Sequence, residues 1–285
     1  MRKSWLIGSL VLLLPTMAEA YDNYGLYANF KKVGLDLGTS KVSNYREYEN
    51  SPNTELNENT QGVLKGMFEF AFEYEQPKYR WDNVVYAEYG KSKIHGNKGR
   101  DSYTENADKL QFLSEYTYKI WHFEKNNSDL GPFISAAYQT EFTTDSEAKR
   151  QKVARLQQGL KLINGTKGIT DFHLSLVEEF DATYSKDDDK LAWQVGFTYK
   201  YPFANKYRFE FESYFRDYMS YSRYEETDFK YEWSAIAKLN IKLNDKFFIE
   251  PYVSYFRAED RENNKAGSNV IFGVAAAYSE IFEMF

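Results

Sequence analysis

The sequence predicts an all-β fold: a transmembrane antiparallel up-and-down β-barrel of about twelve strands, preceded by a cleaved signal peptide. Three observations predict this fold. Apolar and polar residues alternate strictly in segments that recur along the chain. The connections between these segments alternate between short and long. Aromatic residues make up 18% of the chain, with 25 Tyr and 22 Phe, although the mean hydropathy is −0.67.

The stretch MFEFAFEYEQPKYRWDNVVYAEYGK, residues 67–91, shows the alternation most clearly. Phe68, Phe70, Phe72 and Tyr74 occupy every second position, and polar or small residues stand between them. A period of two marks a strand with two environments, here lipid on one face and a lumen on the other. Segments of this kind predict strands at 25–38, 62–75, 79–90, 109–122, 131–143, 152–163, 169–183, 190–201, 206–218, 229–243, 246–257 and 270–284.

Further lipid-facing residues are predicted by the same parity on the eighth and tenth of these strands. They are Trp193, Val195, Phe197, Tyr199 and Tyr201, and Tyr231, Trp233, Ala235, Ala237, Leu239 and Ile241. Tyr and Trp near the strand ends are expected to form girdles at the two membrane interfaces.

The connections provide the second signal. The short ones are Gln76–Lys78, Glu124–Leu130, Asn164–Gly168, Pro202–Asn205 and Asn244–Asp245. Those that alternate with them are mostly longer and polar: Ser40–Thr60, Lys91–Asp108, Thr144–Gln151, Ser185–Asp189, Ser220–Asp228 and Ala258–Asn269. Short turns on one side and long loops on the other are typical of an outer-membrane barrel with both termini in the periplasm.

The N-terminus predicts export. A short basic start precedes the apolar run Trp5–Pro15, and Ala18-Glu19-Ala20 has the form of a cleavage site. We therefore expect a signal peptide at residues 1–20 and a mature barrel at residues 21–285. The alternative is an uncleaved anchor. Because the chain has no Cys, it can form neither a disulfide nor a thiolate metal site.

Composition excludes several other classes. No apolar run of 18 residues follows the signal segment, which excludes a helical membrane protein. The 36 basic residues are outnumbered by 42 acidic ones, so nucleic acid is not an expected partner. A periplasmic soluble β-sandwich with one wet face remains as an alternative, although a sandwich has no need of long loops on one side only.

The parity that places aromatic residues in lipid turns charged residues inward. The candidates for lining the lumen are Lys65, Glu69, Arg80, Glu115, Lys119, Arg155, Lys161, Arg208, Glu210, Glu212 and Lys238, and Lys230 and Glu232 share the same face. A barrel of this size can hold a narrow aqueous path lined by both signs of charge. Alternatively, the charges pair with one another and close the lumen.

Catalytic and metal chemistry find little support. The three His residues are His95, His122 and His173, and their positions do not predict a shared metal site or a cofactor. His173 and Ser175 lie on one face, two residues apart, a spacing similar to that of the outer-membrane phospholipase. The continuation Leu176-Val177-Glu178 departs from that enzyme, the pair is predicted to face the lumen, and a third catalytic group is not evident. We expect no enzymatic activity.

Two features resemble known bacterial families. The terminal Phe285 is similar to the C-terminal aromatic residue that outer-membrane barrels present to the assembly machinery, which implies that machinery as a partner. Trp81-Asp82-Asn83, Tyr89-Gly90-Lys91, Ala107-Asp108-Lys109-Leu110 and Tyr116-Thr117-Tyr118-Lys119 resemble a recurring pattern in an uncharacterised outer-membrane barrel family. One Asp of that pattern is Ala107 here, and the family implies no activity.

Three functions follow as hypotheses, all in the outer membrane and in contact with its lipid. The first is a narrow channel for small polar or charged solutes, and the chain is similar in size to twelve-stranded channels for acidic oligosaccharides or nucleosides. An anionic solute would then be expected at Arg155, Lys161, Arg208 and Lys238. The second is a non-conducting structural or adhesive barrel that acts through its long loops. The third is a lipid-modifying enzyme.

Overall fold

A computed structural model describes residues 24–48, 55–56, 61–95, 101–125, 127–143, 150–164, 168–183, 188–223, 228–261 and 265–284, with the backbone alone at residues 61 and 92–107. The strands are β1 Gly25–Ser43, β2 Gln61–Glu75, β3 Tyr79–His95, β4 Asp101–Tyr118, β5 Trp121–Phe123, β6 Ser128–Thr140, β7 Val153–Ile163, β8 Ile169–Asp181, β9 Asp188–Ala204, β10 Tyr207–Tyr221, β11 Phe229–Lys242, β12 Phe247–Asp260 and β13 Gly267–Glu283.

Twelve of these strands close into one antiparallel barrel. Each strand pairs with its neighbours in the sequence, β1 pairs with β13, and β4 pairs with β6 to complete the ring. Closure matters because a sheet in lipid cannot leave the backbone groups of an edge strand without partners. The predicted fold class and strand number are confirmed.

The thirteenth strand, β5, was not predicted. The segment 109–122, which the alternation predicts as a single strand, ends as β4 at Tyr118. The backbone N–H of Lys119 still donates to Lys78 and that of Ile120 to Leu130, in the registers of β4 with β3 and β6. The short β5 then pairs with the beginning of β6 one residue out of the β4 register, since Trp121 lies opposite Leu130. This shift, and not a change of partner strand, separates β5 from β4.

Two ends of the barrel can be defined. The turn end carries the chain termini and tight turns such as those after Glu75 and Ala204, and the loop end carries the connections after β1, β3, β6, β8, β10 and β12. One predicted loop is wrong: most of Lys91–Asp108 is strand, because β3 runs to His95 and β4 starts at Asp101. Backbone pairing can hold such a strand pair together without an apolar face. Its polar sequence therefore lacks the alternation from which strands are predicted.

The two faces of the strands follow the predicted parity. On β2 the Phe72 side chain is 45% exposed on the outer surface, whereas the adjacent Glu73 is fully buried in the interior. The same alternation holds along β9, where residues from Trp193 to Tyr201 face outward at every second position. The apolar exterior and polar interior are those of a barrel that crosses a bilayer.

Aromatic rings collect near both ends of the outer surface. Towards the turn end, Tyr79 stacks on Tyr116 with 5.6 Å between ring centroids, and Phe203 stacks on Tyr207 at 5.7 Å. Towards the loop end, the ring pairs are Trp193–Phe215, Phe215–Tyr231 and Trp233–Tyr255. These two groups correspond to the interfacial girdles of a membrane barrel.

No helix that is long and apolar enough to cross a membrane occurs in the described part of the chain. The predicted signal peptide at residues 1–20 and the predicted assembly signal at Phe285 lie outside the described residues.

The outer face supplies the first testable prediction. Phe70 packs against Phe30 and Phe72, with ring centroids 4.7 and 4.9 Å apart, within the apolar band. Phe70→Arg places a charge in hydrocarbon and should lower the free energy of unfolding by about 2–4 kcal/mol. Loss of the heat-resistant folded band on cold SDS gels measures this. Phe70→Leu is the matched control and should fold normally; equal tolerance of both substitutions would contradict the assignment of this face to lipid.

Candidate functional site

The structure places all eleven predicted lumen residues on the inner side of the barrel. Seven are buried: Glu69, Arg80, Glu115, Arg155, Lys161, Glu210 and Glu212. The side chains of Lys65, Lys119 and Lys238 are 19%, 8% and 12% exposed, and that of Arg208, near the turn end, is 39% exposed. Lys230 was predicted wrongly. Its side chain is 59% exposed, because the pairing of β11 with β12 shifts register between Phe229 and Tyr231.

A cluster of ion pairs fills the interior at the turn end, on the side of β1 to β4. Its centre is the carboxylate of Glu73, which lies 2.7 Å from Lys31 Nζ and 3.2 Å from Arg80 Nη2. The Arg80 guanidinium also donates to both carboxylate oxygens of Asp82, at 2.8 and 2.9 Å. Lys119 forms an ion pair with Glu75 beside it. Buried carboxylates in such an arrangement are held by partners on neighbouring strands.

A second network covers the inner wall from β7 to β11. Arg155 binds Glu179 at 2.7 Å, and Arg216 binds Glu232 at 2.9 Å. Arg216 also donates from Nε and Nη2 to the Gln194 side-chain oxygen, at 3.0 and 2.7 Å. Arg216 and Glu232 are only 1% and 2% exposed. On this side of the barrel the charges therefore pair with one another, as the closed-lumen alternative expected.

The same network determines which ring nitrogen of His173 carries the proton. Because Arg216 occupies the oxygen of Gln194, the Gln194 amide nitrogen faces His173 Nε2 at 3.1 Å and donates to it. His173 Nδ1 therefore carries the proton and donates to Asp171 at 2.8 Å. Asp171 is the third group that the sequence did not reveal. The Ser175 hydroxyl accepts from Gln157 at 2.8 Å and lies 3.5 Å from the Gln194 carbonyl oxygen. His173 Nε2, the nitrogen that would have to activate this hydroxyl, already accepts from the Gln194 amide.

A cavity of about 620 Å³ lies in the interior beside this network. Its lining comes mainly from β1, β2 and β10 to β13. It extends from Asp245, in the turn between β11 and β12, to Glu55, in the connection between β1 and β2 at the loop end. The cavity therefore covers most of the height of the barrel, and it is large enough for a hydrated ion or a small organic solute.

Both signs of charge line this cavity. Six basic residues are Lys31, Lys32, Lys65, Lys200, Arg208 and Lys238, and eight acidic ones are Asp36, Glu55, Glu69, Glu210, Glu212, Asp245, Glu250 and Glu280. Several form ion pairs along the inner wall, such as Lys32 with Glu250, and Lys238 with Glu212 at 2.9 Å. Both signs of charge therefore occur together along the wall of the cavity.

The described residues of the connection between β1 and β2 lie at the loop end of this cavity, which Glu55 lines. Tyr48 and Leu56 are 1% and 0% exposed, and they pack against Val42, Phe256 and Ala258 on the inner faces of β1 and β12. We call the described residues of this segment, 44–48 and 55–56, the cap. Apolar burial of this kind is worth about 1.5–3 kcal/mol per large side chain, which holds the cap against the barrel.

Polar contacts add to the attachment of the cap. The Tyr48 hydroxyl lies 3.0 Å from the Lys265 carbonyl oxygen, and burial raises the pKa of this hydroxyl to about 12. Asn44, which has a positive φ of 58°, donates from its side chain to the Ala266 carbonyl oxygen at 2.9 Å. Glu55 accepts from Asn269 at 2.7 Å, and burial raises the pKa of its carboxyl above the ordinary value.

Sequence reasoning missed the cap and part of the cavity lining. The segment Ser40–Thr60 was predicted only as a loop, because its mixed composition has no period. Lys31 and Lys32 are adjacent, yet both line the cavity, since a bulge between Phe30 and Lys32 reverses the parity of β1. Neither feature has a signal in the alternation. Lys200 and Asn240 do lie at inward positions of their strands, and the parity could have included them.

Comparison with known proteins gives a partial family match. The family model described as "Protein of unknown function (DUF3078)" matches residues 57–145, which is less than half of the chain. The matched segment contains the Trp81-Asp82-Asn83 and Tyr89-Gly90-Lys91 motifs. No curated protein sequence matches the chain significantly.

Solved structures give a clearer likeness. The COG4313 outer membrane channel from Pseudomonas putida F1 superposes with a TM-score of 0.56 at 11% identity, over 94% of this chain and 99% of that one. The outer membrane phospholipase A from Escherichia coli has a TM-score of 0.42 at 11% identity, with 91% and 95% covered. The NanC porin has a TM-score of 0.41 at 13% identity, with 84% and 98% covered.

The first of these likenesses shows a shared fold. The chain is an outer-membrane β-barrel. The closed sheet, its apolar exterior and the match to an outer-membrane channel locate it in the outer membrane of Gram-negative bacteria. At identities this low, the comparison says nothing about activity or solute.

The paired charges of the inner wall predict an unequal response to mutation. Arg216→Met leaves Glu232 buried and unpaired and should lower the free energy of unfolding by about 3–5 kcal/mol. The double variant Arg216→Met with Glu232→Met leaves no unpaired charge and should recover most of that loss. Urea unfolding of the refolded barrel in detergent measures both. If the double variant is no more stable than Arg216→Met, the contribution of Arg216 to the free energy of unfolding does not come from its ion pair with Glu232.

The buried carboxyl of Glu55 predicts that the cap responds to pH. Burial raises its pKa above the ordinary 4.5, against the opposing effects of Lys65 and Asn269, with Glu88 also near. Protonation therefore favours the docked cap: docking is fully favoured below pH 4.5 and weakens as the pH rises through the raised pKa. Leu56→Cys, in a chain that has no other Cys, should accordingly react faster with a water-soluble thiol reagent as the pH rises.

The matched control for this measurement is Leu56→Cys with Glu55→Gln. It shares the intrinsic pH dependence of the thiol but has no carboxyl to ionise, so the ratio of the two labelling rates reports Glu55 alone. A ratio that stays constant from pH 4 to pH 8 would contradict the prediction.

Proposed function

We propose that the barrel is a narrow channel for small polar or charged solutes, and that its path is the cavity along β10 to β13, β1 and β2. The observation that carries the proposal is the extent of this cavity from Asp245 at the turn end to Glu55 at the loop end. A barrel whose only task is to anchor loops has no need of a charged internal space of about 620 Å³.

Charges on the wall would help a solute to exchange its hydration shell for protein contacts. The path offers cations and anions at each level, for example Lys238 beside Glu212 in its middle. Screening extends only about 8 Å at physiological salt, so a solute in so narrow a path responds to every nearby wall charge.

The cap is the closed end of the proposed path. Glu55 of the cap lines the cavity at the loop end, where Tyr48 and Leu56 pack on the lining residue Phe256, and Asp245 lines it at the turn end. We assign the loop end to the outside of the cell and the turn end to the periplasm. Passage then requires the cap to leave its site on β1 and β12. The wild-type channel is expected to be closed much of the time and to open in discrete steps.

The runner-up is a non-conducting barrel that acts through its surface loops. The observation that favours it is the paired network from β7 to β11, where Arg155, Glu179, Arg216 and Glu232 fill their side of the interior. The network and the cavity meet on β10 and β11, where Arg216 and Glu232 belong to the network and Glu212 and Lys238 line the cavity. The two proposals make different predictions about conductance.

Neither proposal includes catalysis. His173 and Ser175 are turned towards the interior, and each has a hydrogen-bond partner other than its neighbour. The expected partners are outer-membrane lipid around the apolar face and the assembly machinery that inserts the barrel.

Conductance in a planar bilayer tests the proposal. The purified wild-type barrel should show conductance steps in potassium chloride. Tyr48→Ala with Leu56→Ala removes two apolar anchors of the cap, so the open fraction should rise severalfold. Leu37→Ala is the matched control, because Leu37 is 61% exposed on the outer face and should leave the open fraction unchanged. If the wild-type barrel and both variants fold but show no conductance steps, the channel proposal is contradicted and the loop-based function remains.

A further inference from the structure

We infer that the turn-end half of the cavity contains a binding site for an anionic oxygen group, a carboxylate or a phosphate, of a small solute, built from Lys200, Arg208 and Asn240. This inference rests on the channel function proposed above, because it names the class of solute that the path would select. The three residues lie on the adjacent strands β9, β10 and β11 and all line the cavity.

The strand register brings these residues together. Glu210 on β10 is paired with Lys200 on β9 and with Lys238 on β11, and Arg208 is paired with Asn240. Their side chains point to the same interior space from three strands. The site is therefore part of the wall of the sheet and needs no loop to complete it.

Unpartnered polar atoms are concentrated here. Lys200 Nζ, Arg208 Nε and Asn240 Nδ2 are buried donors without a hydrogen-bond partner, and Oε1 of Glu210, the carboxylate that lies among them, also lacks a well-directed hydrogen bond. The Lys200 and Asn240 residues are 9% and 4% exposed. A buried donor without an acceptor costs about 1–3 kcal/mol, and these three donors outnumber the one carboxylate beside them, which indicates a site for an acceptor from outside the protein.

The pairing of the cavity lysines sets Lys200 apart. The other four are in ion pairs: Lys31 with Glu73, Lys32 with Glu250, Lys65 with Glu88 and Lys238 with Glu212. Among the carboxylates of the described residues, the nearest to Lys200 is Glu210, at 4.0 Å.

Glu210 alone does not neutralise the two positive charges of Lys200 and Arg208. Its carboxylate lies 2.8 Å from Arg208 Nη2, so one acidic residue stands between two cations. The acidic residues across the cavity have cations of their own, since Glu280 pairs with Lys246 at 2.5 Å and Asp245 with Lys242 at 2.8 Å. The site therefore keeps an excess of positive charge and of donors, which favours an anion.

The chemistry of the donors selects oxygen anions. A guanidinium and an ammonium, supported by an amide N–H, match the several lone pairs of a carboxylate or phosphate. The location in the interior excludes the head groups of surrounding lipid as the source. The ligand is a dissolved anion or the anionic end of a solute in transit.

Calorimetric titration of the refolded barrel in detergent with sodium phosphate, and separately with sodium acetate, at constant ionic strength tests the inference. The wild type should bind at least one of these probes. Lys200→Gln should weaken binding by about tenfold to a hundredfold, the effect of losing one hydrogen bond to a charged group. Asn240→Asp, which keeps the shape but adds negative charge, should abolish binding. Lys230→Gln removes the same charge from an exposed side chain outside the cavity and should bind like the wild type.

The two probes also distinguish carboxylate from phosphate as the preferred group. Binding that is absent in the wild type, or unchanged by both Lys200→Gln and Asn240→Asp in folded barrels, overturns the inference. Conductance in potassium chloride is recorded on the same preparations. Conductance steps without anion binding would support the channel proposal and contradict the anion site. Anion binding without conductance steps would support the anion site and contradict the channel proposal.

Discussion

The closure of the sheet is the constraint on which the rest of the structure depends. In lipid, each backbone N–H and C=O group must find a partner within the protein, and the pairing of β1 with β13 provides the last ones. Closure divides every strand into a lipid face and an interior face. The adjacent residues Phe72, on the surface, and Glu73, fully buried, show how sharply this division acts on the sequence.

The interior then has to accommodate many charges in a small space, and it does so unequally. From β7 to β11 the charges neutralise one another through hydrogen bonds, and Gln194 links Arg216 to His173 so that each polar group has a defined partner. Along β10 to β13 and β1 to β2 the side chains leave a cavity instead. One barrel therefore combines a wall on which the polar side chains are packed against one another with a wall along which a charged cavity remains.

The cap and the proposed anion site lie at opposite ends of that cavity. The cap is held by apolar packing of Tyr48 and Leu56, which can be released without breaking the barrel. Lys200 and Asn240 are fixed by strands and cannot move far. In the proposed channel the cap would open the path and the anion site would select the solute, so the two roles would lie on separate parts of the barrel. Burial raises the pKa of the Glu55 carboxyl in the cap, which is why the cap is predicted to respond to pH.

The sequence alone determined the barrel, its strand number and the inward position of residues such as Glu210 and Arg155, because lipid enforces a period of two. It did not determine the partner of any charge: Arg155 is neutralised by Glu179, whereas Lys200 is not fully neutralised. Pairing depends on strand register and on the bulge in β1, which place residues distant in sequence side by side. The cap was hidden for the same reason, since burial of Leu56 depends on the tertiary packing of β1 and β12.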